Sequence, residues 1–124
     1  MGLENGIILL APKDLDIHIP FIPMFNIAAT KENPFYRAWE VCNWCKCWDL
    51  RGDIIQLLGR PADGEETKVS IENMKKIVDL IGTKGKKKKN IDHYLAKNDI
   101  PTINKAIDIM SEHLECRAIF YDSY

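Results

Sequence analysis

The sequence predicts an α+β fold: a small mixed or antiparallel sheet made of N-terminal strands plus a C-terminal strand, packed by about four helices. Three observations carry this. Short β-branched and aliphatic runs lie near both ends of the chain, segments of 3.6-residue periodicity with recognisable caps lie between them, and the regular strand–helix alternation of doubly wound folds is missing. The 124 residues fit one domain, expected to span residues 1–124. A hydrophobic fraction of 46% is enough for a core that needs neither disulfides nor a metal.

Residues 6–12 (Gly-Ile-Ile-Leu-Leu-Ala-Pro) form an aliphatic run closed by proline, which predicts a buried strand. Residues 14–19 alternate strictly, with Leu15, Ile17 and Ile19 on one side and Asp14, Asp16 and His18 on the other, which predicts a half-exposed strand. Pro20 and Pro23 reduce residues 21–29 to an edge strand or irregular segment. Asn33-Pro34 has the form of a helix start, and a helical pattern continues through Leu50 and on to Leu58, with Gly59 as its stop. Residues 60–67, with Pro61 and Gly64, read as a loop. Ser70 caps a further helix whose stripe is Ile71, Met74, Ile77, Val78 and Ile81, with Gly82 ending it. Residues 83–90 are a lysine-rich connection. Asn90 opens a short helix to about Asn98, and residues 99–102 start another with the stripe Ile103, Ala106, Ile107, Met110 and Leu114. Residues 116–121 close the chain as a strand that joins the N-terminal ones.

Placed at 100° intervals, the segment after Pro34 has two apolar sides. One holds Phe35, Ala38, Trp39, Cys42 and Cys45; the other holds Val41, Trp44, Trp48 and Ile55. A surface helix of a monomer needs only one such stripe. The expectation is therefore either a helix enclosed between sheet and other helices, or a helix whose Val41, Trp44 and Trp48 contact a protein partner or a second copy of the chain in a homo-oligomer.

The formal net charge is −1, which argues against a binder that coats nucleic acid over its whole surface. Most of the 17 lysines and arginines nonetheless fall in the second half, with Lys84, Lys86, Lys87, Lys88 and Lys89 in one run. That run, with His93 close behind, is the candidate site for an anionic ligand: phosphate, nucleotide or nucleic acid. It contains no aromatic residues for base stacking. Residues 91–98 and 102–114 faintly resemble a helix-turn-helix pair, though only Asn104, Lys105 and Asp108 are left to read bases.

Four cysteines, no basic N-terminal segment ahead of the short apolar run 7–11, and no stretch of roughly twenty apolar residues lead to the expectation of reduced thiols in a cytoplasmic protein without a membrane span. Cys42, Cys45 and Cys47 would lie too deep in the expected helix for dipole activation of a redox thiol. Cys42 and Cys45 with His113 and Cys116 supply a Cys3His donor set for zinc, the one cofactor alternative to none. Asp14, Asp16 and His18 can serve a divalent cation or acid–base chemistry, but no nucleophile elbow, P-loop or dinucleotide fingerprint accompanies them.

These features point to a small non-enzymatic binding or regulatory protein, in the manner of an inhibitor encoded by a phage or mobile element. It would hold a protein partner or itself through the tryptophan segment and an anion through the lysine run. The alternatives are a DNA- or RNA-binding regulator using the C-terminal helices and residues 84–89, and a small metal-dependent enzyme using Asp14, Asp16 and His18.

Overall fold

The computed structural model describes residues 3–59 and 66–123. Its centre is β1 (Glu4–Pro12), the aliphatic run expected to be buried. A central strand has both faces covered, which is why this run is apolar at consecutive positions. Ile7, Leu9 and Ala11 enter the main core, while Ile8 and Leu10 enter a smaller cluster behind the sheet. The remaining strands are β2 (Ile22–Met24), β3 (Tyr36–Cys45), β4 (Thr67–Val69) and β5 (Arg117–Ser123). They form one antiparallel sheet in the order β2-β3-β1-β5-β4. The C-terminal strand thus pairs directly with the N-terminal one, as expected.

Helices α2 (Trp48–Leu58), α3 (Ile71–Lys84), α4 (Ile91–Ala96) and α5 (Ile100–Glu112) contribute to the core on one face of the sheet, with a single 3-10 turn between α4 and α5. The short α1 (Ala28–Glu32) places Ala29 against the opposite face, beside Ile8, Leu10, Ala38 and Ile119. The expected stripes are the buried ones: Met74, Ile77 and Ile81 of α3, and Ile103, Ala106, Ile107 and Met110 of α5. Ser70 caps α3 as its sequence position demands, its Oγ accepting from the Asn73 N–H at 3.1 Å. That helix passes Gly82 and ends only at Lys84, because Gly85 makes the closer approach. A Cβ on Gly85 would lie 2.5 Å from the Ile81 carbonyl oxygen and 2.7 Å from that of His93.

The helix expected from Pro34 is instead a strand, a turn and a later helix. Asn33 closes α1 rather than opening a new helix, residues 36–45 are β3, and α2 begins at Trp48. A β-bulge explains the misreading. Ile7 pairs with Cys42 and Ile8 with Glu40, so Val41 is an extra residue in β3. Trp39, Val41, Cys42 and Trp44 all join the core on the helix side of the sheet. A regular strand would alternate without interruption, but here the slip at Val41 leaves buried residues at 41 and 44, the spacing of a helix. The last eleven residues of the expected helix are helical, as α2, and its stop at Gly59 holds, where φ of 71° suits glycine.

Residues 14–19 also depart from expectation. The chain turns away from the sheet after Pro12, with the Leu15 N–H donating to the Pro12 carbonyl at 3.1 Å, and no ladder follows. The alternation is still expressed in burial: Leu15 and Ile19 pack against the core edge, while Asp14, Asp16 and His18 are exposed. Most of the expected loop at 60–67 lies outside the described residues, and Thr67 opens the short edge strand β4.

Candidate ligand-binding pocket

Conversion of residues 36–45 to a strand changes the meaning of the tryptophans. Val41 and Trp44 are core residues, Trp44 being 5% exposed, and the Trp44 Nε1–H donates to Asp99 Oδ2 at 2.8 Å. Neither is available to a partner, which corrects the expectation of a Val41–Trp44–Trp48 contact face. Trp48, at the first position of α2, is 47% exposed and receives the Arg51 guanidinium over its ring at 5.7 Å.

The lysine run is also divided. Lys84 belongs to α3 and reaches Asp53 Oδ2 at 2.7 Å, and His93 Nε2 lies 2.8 Å from the same oxygen. His93 is buried, so it ties α4 to α2 rather than lining an open anion site. Lys86, Lys87, Lys88 and Lys89 remain exposed, with Lys88 and Lys97 both over the Tyr94 ring at 5.9 and 5.4 Å. Asp92 of α4 accepts from the Asp49 N–H at 3.0 Å and the Leu50 N–H at 3.4 Å. It thereby caps α2 from another element, where Cys47 offers no side-chain cap of its own.

The four zinc donors do not converge, which corrects that alternative as well. Cys42 is buried on the helix side, whereas Cys45, past the bulge and facing away, is exposed. Cys116 precedes β5 at the end of the sheet remote from Cys45, since Arg117 pairs with Leu10 and Ser123 with Glu4, the partner of Cys45. Among the described residues no three His, Cys, Asp or Glu side chains are grouped to hold a metal, and this includes Asp14, Asp16 and His18. Burial raises the Cys42 thiol well above its ordinary range and pushes Cys47 and Cys116 up to about 11. These three are protonated core thiols near neutral pH. A buried ion pair, Arg51 Nε to Asp122 Oδ2 at 2.6 Å, fastens α2 to β5.

A cavity of about 650 Å³ lies elsewhere, where β2 stops after Met24. Beyond that point the outer side of β3 at Tyr36 and Arg37 has no strand partner, because β2 pairs only with residues 38–40. Phe25, Tyr36 and Trp39 line the opening together with Lys13, Lys31 and Arg37, with Pro23, Met24 and Pro34 completing an apolar wall. Among the described residues no carboxylate lines it, and none of its three cations forms an ion pair. The buried Trp39 indole N–H has no acceptor among the described residues. A second cavity of about 280 Å³ shares Lys13, Arg37 and Trp39 with the first and continues past Asp14, Leu15 and Asp16.

Comparison with protein-family models, curated proteins and solved structures finds no match for the chain. The pocket must therefore be read from its own chemistry. Ligand cavities in this size range combine an apolar wall with a few placed polar groups. Here those side chains include three cations beside aromatic rings, which suit a negatively charged ligand with a flat apolar part.

These residues escape a sequence reading because they come from the turn after β1, the end of β2, α1 and β3. No spacing rule links Lys13, Phe25, Lys31 and Arg37. The available signal is compositional: residues 21–39 bring together Phe21, Phe25, Phe35, Tyr36 and Trp39 with Lys31 and Arg37.

Proposed function

We propose that this protein is a non-enzymatic binding module for an aromatic or otherwise flat anion, held in the pocket between β2, α1 and β3. The observation that carries the reading is the gathering of three cations and three aromatic side chains around one cavity, with no carboxylate lining it among the described residues. Three cations gathered around one concave opening attract an anion more strongly than an isolated surface lysine does, and the aromatic walls favour a planar group. The reading keeps the anionic ligand expected from composition and moves it from the lysine run to Lys13, Lys31 and Arg37. Lys86, Lys87, Lys88 and Lys89, exposed between α3 and α4, provide a second basic surface suited to long-range attraction of the same class of ligand.

The test uses a small planar anion, 8-anilinonaphthalene-1-sulfonate, titrated by fluorescence into the folded protein. The expected outcome is saturable binding at one site, weakened about tenfold by Arg37→Ala or Lys31→Ala at unchanged melting temperature. Binding that ignores both substitutions refutes the reading.

A further inference from the structure

We propose that the two adjoining cavities form a groove for single-stranded nucleic acid, with bases stacked on the aromatic residues and phosphates held by Lys13, Lys31 and Arg37. This rests on the anion-binding reading above and names its ligand. The two cavities, about 650 and 280 Å³, share Lys13, Arg37 and Trp39, so two of the three cations lie where the cavities adjoin, while Lys31 lines the larger one alone. A path open in two directions suits a polymer with repeating charge better than a closed cleft for one small molecule.

The rim points the same way. Phe25 lines the larger cavity and Phe35 immediately precedes Tyr36, yet each is 79% exposed. Large aromatic groups left in water beside unpaired cations form the stacking-and-charge combination with which proteins hold single strands, since every base offers a π-face. An acidic peptide would satisfy the cations but leave flat aromatic surfaces without flat partners. In the smaller cavity, Asp14 and Asp16 supply the missing acceptors. Placed beyond the cations, these carboxylates suit the exocyclic amino group of a base rather than a phosphate, and so favour bases carrying that donor, such as cytosine.

The experiment is fluorescence anisotropy of labelled twelve-residue oligonucleotides, dC and dT, with CMP as competitor and the dye of the preceding test run in parallel. Binding in the micromolar range at 50 mM salt is expected, with dC ahead of dT. Phe25→Ala and Phe35→Ala should each weaken it about tenfold. Lys31→Ala should flatten the salt dependence by about 0.7 in log–log slope, one phosphate contact on a single strand. Replacing Lys86 and Lys87 by Ala should leave the Phe25 and Phe35 effects intact. Three outcomes overturn the inference: CMP binding as tightly as the oligonucleotide, which makes the site a nucleotide pocket; binding abolished by the Lys86 and Lys87 substitutions but not by Phe25→Ala; or dye binding that depends on Arg37 with no oligonucleotide binding at all. The last would leave the anion-binding reading standing.

Discussion

Among the described residues, the Arg51–Asp122 ion pair is the most deeply buried. Both side chains are nearly inaccessible, at 8% and 0% exposure. The net benefit of such a pair over apolar residues is small, because desolvation offsets attraction, but losing one member removes a countercharge from a buried site. Asp122→Asn should therefore lower the unfolding free energy by about 3–5 kcal/mol, whereas Arg51→Met combined with Asp122→Leu should recover most of it; urea denaturation of both variants checks this. The cysteines divide as sharply. Cys45 is exposed, while Cys42, Cys47 and Cys116 are buried with raised thiol affinities for the proton. One thiol per native molecule should react rapidly with a disulfide reagent at pH 8, and Cys45→Ser should abolish that fast phase. At this scale the sequence was a poor guide. Cys42 and Cys45 look equivalent in a C-x-x-C spacing, but three residues apart in a strand they face opposite sides of the sheet.

At the scale of elements, β3 and its bulge decide what Trp44 and Trp48 do. Trp44 is walled into the core and hydrogen-bonded to Asp99, whereas Trp48 sits half in water. Trp44→Ala should cost about 3–5 kcal/mol of stability and Trp48→Ala about 1 kcal/mol or less, as read from chemical denaturation. Had both lain on one face of a helix, the two costs would be similar. The α2 cap offers a second contrast: Asp92→Ala should cost about 1 kcal/mol and speed amide exchange at Asp49 and Leu50, although Asp92 is distant from both in sequence. Elements whose signals are local were legible: β1 from its aliphatic run, α3 from Ser70 and its stripe, α5 from its stripe, β5 from its β-branched and aromatic residues. Those whose character depends on a distant partner were not. The bulge exists because β1 lies opposite β3, and the strand-like pattern of residues 14–19 lacks a ladder because Pro12 turns the chain away. The candidate pocket was illegible for the same reason, being assembled from four separate segments.

For the whole molecule, burial of acidic protons makes alkaline conditions hostile. Burial, with help from nearby carboxylates, pushes Cys47 and Cys116 up to about 11 and raises the Tyr121 hydroxyl further still. The unfolded chain ionises these groups at their ordinary values while the native state keeps them protonated, so above pH 9 the unfolded state binds fewer protons and stability falls with pH. The contribution is intact below pH 9 and is lost as pH rises toward 11 and beyond; the melting temperature should decline across that window, and Cys116→Ala should flatten the decline. The sheet also controls how copies can meet. Both edge strands, β2 and β4, have three residues, and β2 carries Pro23, which discourages strand-to-strand extension between molecules. No described helix is long and apolar enough to cross a membrane.

The central position of β1 sets the timing of folding. Its β5 partner lies about a hundred residues away along the chain, Leu10 opposite Arg117 and Glu4 opposite Ser123. During synthesis this aliphatic strand emerges about a hundred residues ahead of its second neighbour and must wait for it. Loop closure over such a separation slows two-state folding, and an unpaired aliphatic strand is a template for aggregation meanwhile. A nascent chain halted before residue 117 would expose one side of β1, and this is the point at which a chaperone would bind it.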